Sequence, residues 1–158
     1  MMHRTTDPDT FGFLVGDISR LIRAEMERRM GAANLPITLG EGRTLMNVAR
    51  EGAMRQNVLA ERMGLEAMTL SGYLDRLEGR GLVVREMDPS DRRAKLVDLT
   101  DSAAGVLAEL RSISGAIHED LAKTMTDGAW NDLNAALKRL RAELTSMKPG
   151  AADRECNQ

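Results

Sequence analysis

Two short helical patterns meet at Gly64, and two strand-like runs follow them directly. From about Arg55 to Met63, the apolar residues Val58, Leu59 and Met63 repeat at helical spacing. From Ala67 to Gly79, Met68, Leu70, Leu74 and Leu77 are expected to point inward, which leaves Thr69, Ser71, Tyr73 and Arg76 on the other side. Gly64 stands where the turn between two such helices needs a residue tolerant of positive φ. Leu82–Met87 then reads as a strand, Asp88–Ala94 as a polar turn and Lys95–Leu99 as the returning strand. A connection of that length exceeds the tightest two-residue hairpin turn and is expected to protrude.

Longer helices flank this unit. Leu14, Ile18, Leu21, Ile22, Met26 and Met30 recur at spacings of three and four, with Asp9 or Thr10 as the cap and Gly31 as the expected end. A second helix is expected from Thr38 to about Arg50, its first turn weakened by Gly40 and Gly42. Thr100 is the expected N-cap of a helix whose stripe is Val106, Leu110, Ile113, Ile117, Leu121 and Met125. Thr126 or Asp127 caps the last helix, where Trp130, Leu133, Leu137, Leu140, Leu144 and Met147 form a coiled-coil-like seam. These stripes are longer than the small central unit can cover, so an intersubunit role is favoured over an intrachain core. The polar segment 149–158 is expected to be a disordered tail.

Length and composition set bounds. The 158 residues suit one domain, 1–158. No apolar run is long enough to span a membrane, and the first residues lack the apolar stretch of a signal peptide. The single cysteine, Cys156, has no intrachain partner, so a cytoplasmic location fits best, and an inert tail thiol is favoured over a redox role. The net charge of −2 offers duplex DNA no general attraction, so a nucleic-acid reading depends on where the charges sit. Scarce aromatics argue against single-strand binding by stacking. The eleven methionines read first as core filler and second as lining for a pocket of varied apolar shape. No phosphate loop, metal-ligand spacing or nucleophile–base set appears, so no enzyme, cofactor or metal site is expected.

The order helix–helix–turn–helix–hairpin describes a mainly α fold: a winged helix–turn–helix with a two-stranded β-hairpin wing and long N- and C-terminal dimerisation helices. Its physics suits double-stranded DNA. A helix fits the major groove, and arginines on a hairpin tip reach the negative minor groove. Here that tip carries Arg92 and Arg93, with Lys95 following.

Val58–Gly64, Tyr73–Val83 and above all Asp88–Thr100 resemble the MarR family of bacterial regulators. The likeness in element order runs from Phe11 to Met147. It implies dimerisation helices at 11–35 and 101–148 around a DNA-binding part at 38–100. It also implies a homodimer that binds a pseudo-palindromic operator, usually as a repressor, and often releases it when a small phenolic or aromatic anion binds. By this resemblance Arg93 is the wing arginine and Asp91 the acid that holds it, although Asp91 also reads as an ordinary turn residue. Thr69, Ser71, Tyr73 and Arg76 fall on the recognition helix, and Gln56 and Asn57 on the start of the helix before it. Tyr73 has scaffold packing as its alternative. Gly40 and Gly42 depart from the family's better helix formers. The cysteine of the peroxide-sensing branch is absent near the first helix, so that mechanism is not expected. Effector candidates are Phe13, Arg20, Arg43, Met46 and His118, each with a plain structural alternative. The competing function is a ligand-binding or protein-interaction module on the same fold that does not bind DNA, and its only support is the near-neutral net charge.

Overall fold

The computed structural model describes residues 9–147; His3, Cys156 and the tail segment 149–158 lie outside them. Two compact units are present, one through Ile117 and one from His118 onward. The first contains α1 (Phe11–Ala32), α2 (Leu39–Glu51), β1 (Met54–Arg55), α3 (Gln56–Met63), α4 (Ala67–Gly79), β2 (Val83–Asp88), β3 (Asp91–Leu99), a 3₁₀ turn at Asp101–Ala103 and most of α5 (Ala104–Ala122). The second holds the end of α5 and α6 (Asp127–Ser146).

Leu45, Val48, Leu59, Leu70, Leu74, Leu77, Val97 and Leu110 form the centre of the first unit, all at 0% exposure. They come from α2, α3, α4, β3 and α5, so the helix–turn–helix is welded to the sheet and to the long helix by one apolar cluster. The expected hairpin is present, and the two residues of β1 add to its edge, giving the antiparallel order β1-β3-β2. Gly64 adopts φ 63°, as the turn requires, and closes α3 with Gly64 N–H donating to the Glu61 carbonyl and Leu65 N–H to the Ala60 carbonyl.

Four local expectations are corrected. Helix α1 runs through Gly31 and ends at Ala32; beyond it Asn34, with a φ of 52°, lets Leu35 N–H reach the Met30 carbonyl. Met68 does not point inward; it is 86% exposed, because two positions before Leu70 lies on the opposite side of a helix. The wing connection is no long loop: Asp88 pairs with Asp91 across a turn of only Pro89 and Ser90. The register then jumps to Met87↔Lys95, so Arg92, Arg93 and Ala94 form a bulge in β3. Thr100 caps no helix with its side chain; its hydroxyl donates to the Gly81 carbonyl at 2.5 Å, tying the wing base to the end of α4.

The glycines at the start of α2 have a packing cause. A Cβ on Gly40 would lie 2.4 Å from Cζ of Tyr73, and one on Gly42 would lie 3.1 Å from Leu110 Cδ2. Thr38 and Glu41 form a capping box that secures this turn despite the two glycines. We expect Gly40→Ala to destabilise the protein by about 1–3 kcal/mol, although alanine is the better helix former. Urea denaturation at fixed protein concentration checks this, and Tyr73→Ala should relieve most of the loss in the double variant.

Candidate nucleic-acid interface

Helices α3 and α4 and the wing enclose a cleft of about 480 Å³. Gln56 and Asn57 open it from the first turn of α3, Ala67 and Ser71 from α4, and Arg93 and Lys95 from the bulged strand. Five of the expected contact residues therefore meet in one place: Gln56, Asn57, Ser71, Arg93 and Lys95. Asp91 joins them at the wing end. Arg92 is exposed on the wing next to them, and Thr69 is exposed on α4. Among the described residues, Arg92, Arg93 and Lys95 make no ion pair and are exposed, although Lys95 is near enough to Glu78 to help lower its pKa.

The wing is held from below. Arg55 Nε donates to Asp88 Oδ2 at 2.6 Å, and Arg55 Nη2 donates to the Ser90 hydroxyl at 3.1 Å. Asp88 Oδ1 accepts from the backbone N–H and the hydroxyl of Ser90, at 2.8 and 2.7 Å. The Ser90 backbone and hydroxyl, and then Arg55, hold the Asp88 carboxyl down at about 2. Deeper in the cleft, Arg85 donates to Glu78 and to Asp75, which ties β2 to α4. The Glu78 hydrogen bond chiefly raises the Arg85 pKa and is the main cause of the lowered Glu78 pKa. Neither Arg55 nor Arg85 was picked out by the sequence pattern, because their partners lie on other elements.

Asp91 acts on the wing differently from the expected ion pair. Its Oδ1 accepts the backbone N–H of Arg93 at 3.0 Å, which shapes the bulge and leaves the guanidinium unpaired.

Tyr73 and Arg76 face α2 instead of the cleft. The Tyr73 ring sits on Gly40, and the Arg76 guanidinium lies 5.4 Å from that ring's centroid. Arg76 Nε donates to Oε1 of Glu41 at 2.5 Å, and Arg80 stands 4.0 Å from the other oxygen. Glu41 is fully buried. Burial pushes its pKa up, but the Thr38 N–H and the Arg76 and Arg80 cations outweigh that, and the net direction is down.

The five effector candidates are not gathered in one pocket. Phe13 is exposed on α1, and Arg20 pairs with Asp17 while lining a groove of about 490 Å³ with Arg23. Arg43 is half-buried, and its pKa is lowered by burial and then by nearby Arg23. Arg23 was not singled out from the sequence; only a spatial neighbour on another helix reveals it. Met46 lines a separate cavity of about 310 Å³ with Ala49, Arg50, Leu107 and Arg111. His118, in the second unit, accepts the Trp130 indole N–H at its Nε2 at 2.9 Å, in an edge-on ring contact. That bond assigns His118 a structural task.

The profile of the MarR family matches residues 37–95, which span α2 through the bulge of the wing. A solved transcriptional regulator is 32% identical, with a TM-score of 0.73, over 87% of this chain and 99% of its own. This chain belongs to the MarR family. MarR itself from E. coli superposes with a TM-score of 0.72 at 22% identity, covering 85% of this chain and 98% of that one. The MepR–DNA complex of S. aureus gives a TM-score of 0.68 at 24% identity, over 85% of this chain and 98% of MepR. For this MarR-family chain the mainly helical winged fold expected from sequence is therefore the one present. No described helix is long and apolar enough to cross a membrane.

Two outcomes follow from this geometry. Arg76→Ala should lower stability by about 1–3 kcal/mol in the absence of any ligand, because it strips a partner from a buried carboxylate, while Arg93→Ala leaves stability within about 0.5 kcal/mol; urea midpoints of the two variants test both. The Asp88 clip stabilises fully above the usual aspartate range near 4 and loses that contribution as pH falls toward its folded value of about 2. Wild type and Asp88→Asn should therefore differ in thermal midpoint at pH 6 and converge as the pH approaches 2.

Proposed function

We propose that this chain is a homodimeric, sequence-specific regulator of transcription that binds double-stranded DNA. In this reading it represses from a pseudo-palindromic operator and is released by a small aromatic or phenolic anion. The observation that carries the DNA reading is the cleft in which the exposed Arg93 and Lys95 stand beside Gln56, Asn57 and Ser71. Cations on the wing supply affinity for phosphate and minor groove, and short polar side chains at the helix starts fix the register. Thr69 and Arg92 extend the same surface; Tyr73 and Arg76 support it by holding the recognition helix α4 against α2.

Exposed apolar faces support the homodimer. Phe11, Phe13, Leu14, Val15, Ile18, Leu21 and Ile22 of α1 are between 40% and 62% exposed. Leu133, Leu137, Leu140 and Leu144 of α6 are between 40% and 60% exposed, and no residue of α6 is buried. Apolar stripes of this length are covered in a stable protein, and a second copy with twofold symmetry covers both copies' stripes alike. The same symmetry presents two recognition helices to half-sites about 34 Å apart. The effector reading rests on Arg23 and Arg43, two neighbouring cations for which, among the described residues, no carboxylate partner is present. A carboxylate or phenolate placed there relieves their repulsion. Repression is carried over as the family's usual mode.

Fluorescence anisotropy against duplex from the region upstream of its own gene, across a salt series, tests the reading. Binding should be tight, salt-dependent and stronger than to a scrambled duplex. Arg93→Ala should weaken binding to all duplexes and lower the salt slope by about one unit per protomer. Equal affinity for scrambled DNA overturns sequence specificity, and no binding at low salt overturns the DNA reading altogether.

A further inference from the structure

Met68 has no task in the fold. It is the most exposed large apolar residue among the described ones, at 86%. It lies on α4 with Ser71, Gly72 and Asp75, at spacings of three, four and seven, opposite the buried Leu70, Leu74 and Leu77. Ser71 of this stripe lines the cleft beneath the wing, and Ala67 beside Met68 does too. The rest of the stripe is low. Ser71 is short, and Gly72 has no side chain and only the Arg76 guanidinium within 4 Å of a Cβ position. Asp75 is engaged by Arg85 at 2.7 Å, which offsets its charge. Met68 is thus the one long side chain free to project from this stripe near the start of the helix.

We propose that Met68 reads base identity, by packing its thioether against the C5-methyl group of thymine in the major groove. This rests on the DNA-binding reading above. Thymine is the base that carries an apolar group on its major-groove edge. A methionine offers base edges little hydrogen bonding, since its sulfur is only a weak acceptor. What it offers is a flexible, polarizable apolar surface that moulds to a methyl group. Burying that surface against a methyl removes both from water, and a cytosine or purine at the same position gives no such return.

The test uses the full-length protein and duplexes it selects from a random-sequence library. Each thymine of a selected duplex is replaced in turn by deoxyuridine, which lacks only the methyl group, and Kd is measured by anisotropy. For wild type, one symmetry-related pair of positions should lose about fourfold in affinity per methyl removed. Met68→Ala should show no loss at that pair, keep any sensitivity elsewhere and keep the wild-type thermal midpoint. Methyl sensitivity at that pair surviving in Met68→Ala overturns the assignment, as does a selected duplex with no methyl-sensitive position; in both cases DNA binding itself stands. Failure to select any duplex overturns it together with the DNA-binding reading.

Discussion

The orientation of α4 depends on one buried charge. Glu41 closes the capping box with Thr38 at the start of α2, and the same carboxylate takes the Arg76 guanidinium from α4. A carboxylate at 0% exposure is tolerated only because its oxygens are occupied. The arrangement is therefore self-enforcing: any tilt of α4 away from α2 strands an anion in an apolar interior. Tyr73 adds a steric register to this electrostatic one, since its ring fits only where Gly40 leaves room. Together they fix both the distance and the rotation of α4, and with them where Ser71 and Met68 project.

Sequence patterns made the elements legible but not their long-range reasons. The limits of α4 and the positive φ of Gly64 could be read because an unbroken stripe and a turn glycine are local signals. The hydrophobicity of Met68 points inward but its phase does not; two residues from Leu70, it lies across the helix. Arg92, Arg93 and Ala94 are not strand-like in sequence, yet a bulge lets β3 carry them within the hairpin. Gly40 looked like a weakness because its partner, Tyr73, lies on another helix. Arg76 looked like a reader because exposed helix arginines usually are free, and only the fold reveals Glu41 beside it.

The net charge of −2 hides a division of labour among the ions. Glu25, Glu51, Glu78 and Asp88 each hold an arginine of the scaffold: Arg28 and Arg29, Arg50 and Arg62, Arg85, and Arg55. Those pairs cancel locally and leave little field at a distance. Arg92, Arg93 and Lys95 of the wing form no ion pair among the described residues, though Lys95 helps to lower the pKa of Glu78. A chain that is acidic in total thereby still presents exposed cations beside the starts of α3 and α4.

The two-residue turn and its Arg55–Asp88 clip bear on the entropy of binding as much as on stability. A hairpin already braced at its tip reaches a phosphate-lined groove without first surrendering much conformational freedom. For a family whose members bind DNA, a wing formed in this way leaves side-chain placement, and not folding of the hairpin, as the step to be ordered on binding.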